Sequence, residues 1–286
     1  MKESKYLYNV NLSVEFLKKW HEKAPEICIV LGSGLSEAIP GILNMKFAKF
    51  SDIPGFKNLT VAGHKSDIRI GNISDSLPNG VIKSREIIFL RGRNHAYEGN
   101  DPGEVVHNIR SLMSWGVKGI ILTNAAGCLQ PQWELGKMMI VTDHINATGL
   151  SPVNGQFGEG FGPQFIDMSS AYALDWQKQI QEIAVSVKHK IYSGIYYGVL
   201  GAQYETPAEI RMMQSFGASA VGMSTVLETI AARQMGVKTI AISCLTNYAA
   251  GLKDETLKHS DVMDMGARFS HVMADIVLKA AVTLEI

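Results

Sequence analysis

Cysteine is scarce and poorly placed for any framework. Cys28, Cys128 and Cys244 are odd in number, far apart and without metal-ligand spacing, which excludes a disulfide scaffold and points to reduced thiols in the cytosol. No apolar run approaches the roughly 20 residues a membrane helix needs. The opening MKESKYLYNV has no apolar signal core. The chain is therefore expected to be cytoplasmic, with no membrane partner. Net charge is also missing: 27 basic residues balance 27 acidic ones, so no global field recruits nucleic acid. The expected partner is a small molecule. Charged residues make up 19% of the chain, below the roughly 25% usual for soluble proteins, which suggests a surface partly covered in an oligomer. Repeats, linkers and low-complexity stretches are absent, and 286 residues at 46% hydrophobic read as a single domain over 1–286.

What is present is organised around residues 199–228, VLGAQYETPAEIRMMQSFGASAVGMSTVLE. Thr206, Pro207 and Glu209 read as N-cap, first helical residue and capping-box acid, which puts Glu205 at a strand-to-helix corner. The pattern recurs twenty residues on: a short strand over 219–223, then Thr225 and Glu228 as a second capping box, with Met223 and Ser224 on the corner. Such corners at the carboxyl ends of strands in α/β sheets are where ligands are usually bound.

Along the chain, helical spacing over 11–21 precedes a buried strand at 26–31 that runs into Gly32-Ser33-Gly34, a backbone able to approach an anion. A dinucleotide fingerprint would need a third glycine where Glu37 stands, so phosphate is the better guess. Strands at 67–73 and 82–90 flank a Leu-Pro-Asn-Gly turn. If the backbone stays extended beyond them, Arg93, His95 and Tyr97 point to one side. Asp101, Pro102 and Glu104 cap a helix to about 115, and a strand at 118–123 leads into Asn124-Ala-Ala-Gly. A strand at 137–146, a long irregular segment at 147–168, a helix at 171–187 and strands at 191–200 and 237–245 follow. A polar loop then precedes a closing helix. The fold class is α/β, a twisted mixed sheet flanked by helices.

Each candidate has an ordinary alternative. Arg93 alone is a surface or ion-pair arginine, His95 and His64 alone are structural histidines, and Glu205 could merely favour a helix dipole. Asn247 could cap a turn, Met223 and Phe161 could be packing, and His259 could be exposed. Arg93 and His95 alternating beside Tyr97 favour function, since arginine suits planar anions. Composition and periodicity reach an α/β protein with an anion site and stop there.

A resemblance takes the reading further. Gly-Ser-Gly-Leu at 32–35, Gly-Arg-x-His-x-Tyr-Glu-Gly at 92–99 and Thr-Asn-Ala-Ala-Gly at 123–127 come in order, followed by Tyr-Glu-Thr-x-Ala-Glu at 204–209, Val-Gly-Met-Ser-Thr at 221–225 and Thr-Asn at 246–247. Together they resemble the trimeric purine nucleoside phosphorylases, over about residues 27–283. The resemblance implies attack of inorganic phosphate on C1′ of a 6-oxopurine nucleoside, giving free base and α-ribose 1-phosphate for nucleoside salvage, with no metal and no organic cofactor. It implies that Ser33, Arg93, His95, the Ala125 amide and Ser224 hold phosphate, with His64 closing over it. Tyr97, Met223 and His259 would line the ribose. Glu205 and Asn247 would bind the purine, Tyr204 would stack on it, and Phe161 would reach into a neighbouring site of a homotrimer. Glu205, Asn247 and His95 are the expected catalytic side chains.

The chain also departs from that pattern. Ser36 and Cys128 stand where glycines are usual, Tyr204 replaces Phe, Gly201-Ala202 replaces Gly-Pro, and Gln164 precedes Phe165 where a basic residue is usual. Three rivals remain on sequence. A xanthosine-preferring phosphorylase shares Thr246-Asn247-x-Ala-x-Gly-Leu and Leu-x-His at 257–259. A methylthioadenosine phosphorylase would carry Asp at 247. A nucleoside-binding protein would lack catalysis.

Overall fold

The strand Ile27–Leu31 (β1), Ile-Cys-Ile-Val-Leu, offers no polar face, and a strand apolar on both sides must lie inside a sheet covered on both faces. In the computed structural model, which describes residues 4–32, 43–59, 65–76, 82–253 and 259–286, β1 is buried along its length. It pairs in parallel with Ile82–Arg91 (β4) on one side and Gly119–Cys128 (β5) on the other. The arm beyond β4 is antiparallel: Asp67–Ser76 (β3) pairs with β4, and Leu43–Lys49 (β2) with β3. Sequence patterning did not reveal β2. It is an edge strand with Met45 and Phe47 exposed, so it lacks the buried alternation that marks a strand.

Beyond β5 the sheet curls back on itself. Lys238–Tyr248 (β9) runs parallel to β5 and antiparallel to Met138–Asn146 (β6), which pairs with Ile191–Gly198 (β7). Ala218–Gly222 (β8) follows β7 and returns to the end of β5, where Gly127 faces Val221. The nine strands among the described residues form one mixed sheet.

The helices cover both faces. Lys5–Trp20 (α1) starts earlier than helical spacing suggests because Ser4 caps it, accepting from the Leu7 amide at 3.2 Å. Pro102–Val105 (α2) and His107–Trp115 (α3) split the helix expected over 101–115 at Val106. Leu174–Ser186 (α4), Pro207–Ser215 (α5), Val226–Gln234 (α6) and the long His259–Thr283 (α7) complete the set. None of the described helices is long and apolar enough to cross a membrane. All three cysteines are free and buried.

Two local features set the site. At the end of β1, Gly32 lies against β5 so closely that a Cβ would meet Thr123 O at 2.7 Å, so only glycine fits there. At the start of α5 both halves of the Thr206 capping box form, with Thr206 N donating to Glu209 at 2.7 Å and Glu209 N to Thr206 Oγ1 at 3.3 Å. That start leaves Glu205 in the turn just before the helix.

Candidate active site

The carboxyl ends of β4, β5, β8 and β9, with the turn after β7, surround one pocket of about 720 Å³ including its open mouth. Its lining includes Arg93, His95, Tyr97, Ala125, Tyr204, Glu205, Met223, Ser224 and Asn247. Arg93, His95 and Tyr97 do converge, but not through an extended backbone. Ala96–Glu98 is a 3-10 turn, and Tyr97 stacks on the His95 ring with centroids 4.6 Å apart.

One end of the pocket carries a buried cation. The Arg93 guanidinium is 3% exposed, with Nε donating to Glu228 at 3.2 Å and Nη1 to Thr123 O at 2.7 Å. Nη1 also reaches Ser224 Oγ at 3.4 Å, while Nη2 is buried with no partner among the described residues. A buried donor left unpaired is costly, and an anion at this end would satisfy it. His95 is held by Glu98, whose Oε2 lies 3.1 Å from Nδ1 and accepts from the His95 amide at 2.9 Å. The carboxylate thereby fixes the ring's orientation.

The other end presents a carboxylate and an amide. Burial, helped by the charge of Glu209, holds the Glu205 pKa above the ordinary carboxylate range. Asn247 Oδ1 accepts from Thr246 Oγ1 at 2.9 Å and its Nδ2 donates to Tyr248 O at 3.0 Å. One amide hydrogen and one oxygen lone pair therefore remain for a ligand. Tyr204 lines the pocket half in solvent, and Tyr97, kept a neutral phenol by burial, packs with Met223 over Gly201.

Four of the expected residues do not appear in this lining. Ser33 and His64 lie outside the described residues. His259 is the first residue of α7, and its side chain is not described, although Val262 of the same helix lines the pocket. Phe161 is 5% exposed in its own chain and stacked on the Arg110 guanidinium at 4.1 Å. The exposed aromatic of that loop is Phe165, at 91%. The same pentapeptide carries both rings, and local sequence cannot tell which of them Arg110 would claim.

Sequence reasoning also passed over side chains that hold the lining in place. Glu228 pairs with Arg93, Thr246 orients Asn247, and Asn124 Nδ2 donates to Thr225 Oγ1 at 2.9 Å. Tyr196, fully buried, accepts from the Ser224 amide at 3.4 Å. The only signal for Glu228 was its capping spacing, and that half of the box exists: Thr225 N donates to Glu228 Oε2 at 3.0 Å. No cluster of three or more His, Cys, Asp or Glu among the described residues could hold a metal ion.

The strand ends of this α/β sheet bring a buried arginine, a carboxylate and an amide to one cleft. The chain belongs to the phosphorylase superfamily, whose family model matches residues 26–282. It is 39% identical over 256 residues to purine nucleoside phosphorylase 1 of Bacillus subtilis, covering 90% of this chain and 91% of that one. It is 37% identical to the purine nucleoside phosphorylase of Mycobacterium tuberculosis over 89% of both chains. Among solved structures, Schistosoma mansoni purine nucleoside phosphorylase in complex with adenosine superposes with a TM-score of 0.85 at 31% identity, over 98% of both chains.

Proposed function

We propose that this protein is a purine nucleoside phosphorylase that cleaves 6-oxopurine nucleosides with inorganic phosphate, releasing free base and α-ribose 1-phosphate. The observation that carries the reading is the buried Arg93, with Nη2 lacking a partner among the described residues, in the same pocket as Glu205 and Asn247. A phosphate oxygen attacks C1′ as the C1′–N9 bond breaks, and the bond's electron pair passes to the purine. The transition state resembles an oxocarbenium ion, so positive charge gathers on the sugar and negative charge on the base. Phosphate held by Arg93, His95, Ser224 and the Ala125 amide stabilises the first, and Asn247 at N7 stabilises the second. Holding phosphate against C1′ adds a proximity contribution that can reach roughly 7–11 kcal/mol. No side-chain nucleophile is needed, and no metal or organic cofactor enters this reading. Ser33 and His64 would complete the phosphate site, and His259 the ribose site.

The direct test is base release from inosine, guanosine, xanthosine and adenosine, each with and without phosphate. Release that depends on phosphate supports the reading. Equal release without phosphate would make the protein a hydrolase, and no release would make it a binding protein. Preference for xanthosine over inosine would favour the xanthosine-type alternative.

We further propose a cytoplasmic homotrimer with shared sites. Three free buried thiols support the compartment. The assembly is supported by the exposed apolar side chains Leu200, Met212 and Phe216, and above all by Phe165. Phe165→Ala is expected to leave thermal stability unchanged while raising KM for inosine. Phe161→Ala should cost about 3–5 kcal/mol of stability, as buried aromatic truncations do. Sedimentation and thermal melts check both, and a fully active monomer would refute the shared site.

A further inference from the structure

The corner that carries Ser224 is built on an unusual backbone. Thr225 has φ +71° and ψ −48°, and the Val226 amide donates to Ser224 O at 2.7 Å, which closes a γ-turn of the rare form with positive φ at its centre. A β-branched residue in that conformation is strained and persists only when its surroundings over-determine it. Here they do. Thr225 N donates to Glu228 Oε2 at 3.0 Å, and Thr225 Oγ1 accepts from Asn124 Nδ2 at 2.9 Å and meets Ser224 Oγ at 3.1 Å. The other oxygen of the same carboxylate, Oε1, accepts from Arg93 Nε at 3.2 Å. Both partners are almost fully buried, so the pair is little screened.

Resting on the phosphorolysis reading above, we infer that Glu228 is the positioning residue of the anion end, with one oxygen aiming the Arg93 guanidinium and the other holding the strained turn that presents the Ser224 hydroxyl. Arg93 Nε is engaged by this carboxylate and Nη1 by Thr123 O, which leaves Nη2 for the anion. If the carboxylate is removed, the guanidinium loses its charged anchor and the turn loses one of the contacts that oppose its strain. Both donors to phosphate then loosen together. Glu228 does not line the pocket that holds Glu205 and Asn247, so nucleoside recognition there should be spared. A capping residue that only stabilised α6 would behave differently, lowering thermal stability with no bias between the two substrates.

The test uses the full-length enzyme and the variants Glu228→Gln and Glu228→Asp. Glu228→Gln keeps the shape and loses the charge, while Glu228→Asp keeps the charge but is one methylene too short to reach both partners. KM for phosphate is measured at saturating inosine and KM for inosine at saturating phosphate. Binding of inorganic phosphate alone is measured by calorimetry. In Glu228→Gln, KM for phosphate and the phosphate dissociation constant are both expected to rise about ten-fold or more, as when a charge-assisted hydrogen bond is weakened. KM for inosine should stay within about two-fold, and Glu228→Asp should show the same bias more weakly. Unchanged phosphate affinity in whichever variant folds, or equal losses for both substrates, would overturn the inference. A wild-type enzyme that neither binds nor uses phosphate would instead overturn the functional reading itself, before any variant is compared.

Discussion

Adenosine is expected to be cleaved roughly 10⁴- to 10⁵-fold less efficiently than inosine, the discrimination available to a site whose buried hydrogen-bonding groups are left unpaired by the wrong substrate. Ionised Glu205 can only accept, so it matches the N1–H of a 6-oxopurine and, in guanine, the 2-amino group. Adenine offers a bare N1 acceptor against that carboxylate. Asn247 adds a second mismatch. Its Nδ2 already gives one hydrogen to Tyr248 O and its Oδ1 accepts from Thr246, which fixes the remaining N–H as a donor suited to a 6-oxo group. Adenine's 6-amino group would meet it donor against donor. Because burial raises the Glu205 pKa, acid pH should narrow the discrimination. As pH falls towards that raised value the carboxyl gains a proton, inosine loses its acceptor, and adenosine N1 gains a donor. The ratio of kcat/KM for adenosine to that for inosine should therefore rise as pH falls and reach its minimum where Glu205 is fully ionised. Asn247→Asp is the single change expected to admit adenosine, since a carboxylate can accept from the 6-amino group. Kinetics are the necessary readout, because a solved relative from Schistosoma mansoni was crystallised in complex with adenosine. Comparable wild-type efficiency on the two nucleosides would refute the placement of Asn247 at the purine edge.

Arg93→Ala is expected to have the largest combined effect on activity and stability. Removing the guanidinium takes away the buried donor assigned to phosphate, and losing such a preorganised donor costs about 10²–10³-fold in rate. It also leaves Glu228, 3% exposed, as a carboxylate with only the Thr225 amide for a partner among the described residues. Breaking a buried pair from one side costs about 3–5 kcal/mol, because the remaining charge stays buried without its counter-ion. Adding Glu228→Gln to Arg93→Ala should recover much of that stability while leaving phosphate use as poor as in Arg93→Ala alone. The two substitutions should therefore be strongly non-additive in both measurements. Chemical denaturation of the four proteins in the cycle, with phosphate titrations of the same samples, checks both halves. Additive stabilities would mean that the 3.2 Å Arg93–Glu228 contact contributes nothing.

The part of this protein that local chemistry dictates was legible in the chain. Ile-Cys-Ile-Val-Leu reads as a buried strand and Thr206-Pro207-Ala208-Glu209 as a helix start, which put Gly32 and Glu205 at the ends of strands. The resemblance to a known family implied most of the other lining residues, which follow directly on strands whose ends the parallel pairing of β1, β4, β5 and β9 brings to one side.

What needed tertiary structure were choices between partners remote in sequence. Thr225 reads as an ordinary N-cap, yet its hydroxyl goes to Asn124, 101 positions away, and its backbone takes a conformation that no local preference favours. Arg93 reads as a lone cation until Glu228, 135 positions on, fixes its orientation. Phe161 and Phe165 are equivalent by composition, and only the packing of the loop against Arg110 buries one and exposes the other. The closure of β5, β9, β6, β7 and β8 onto itself was likewise illegible. Strand pairing over such separations is decided by which sheet buries the shared apolar surface, a property of the whole chain and of no window within it.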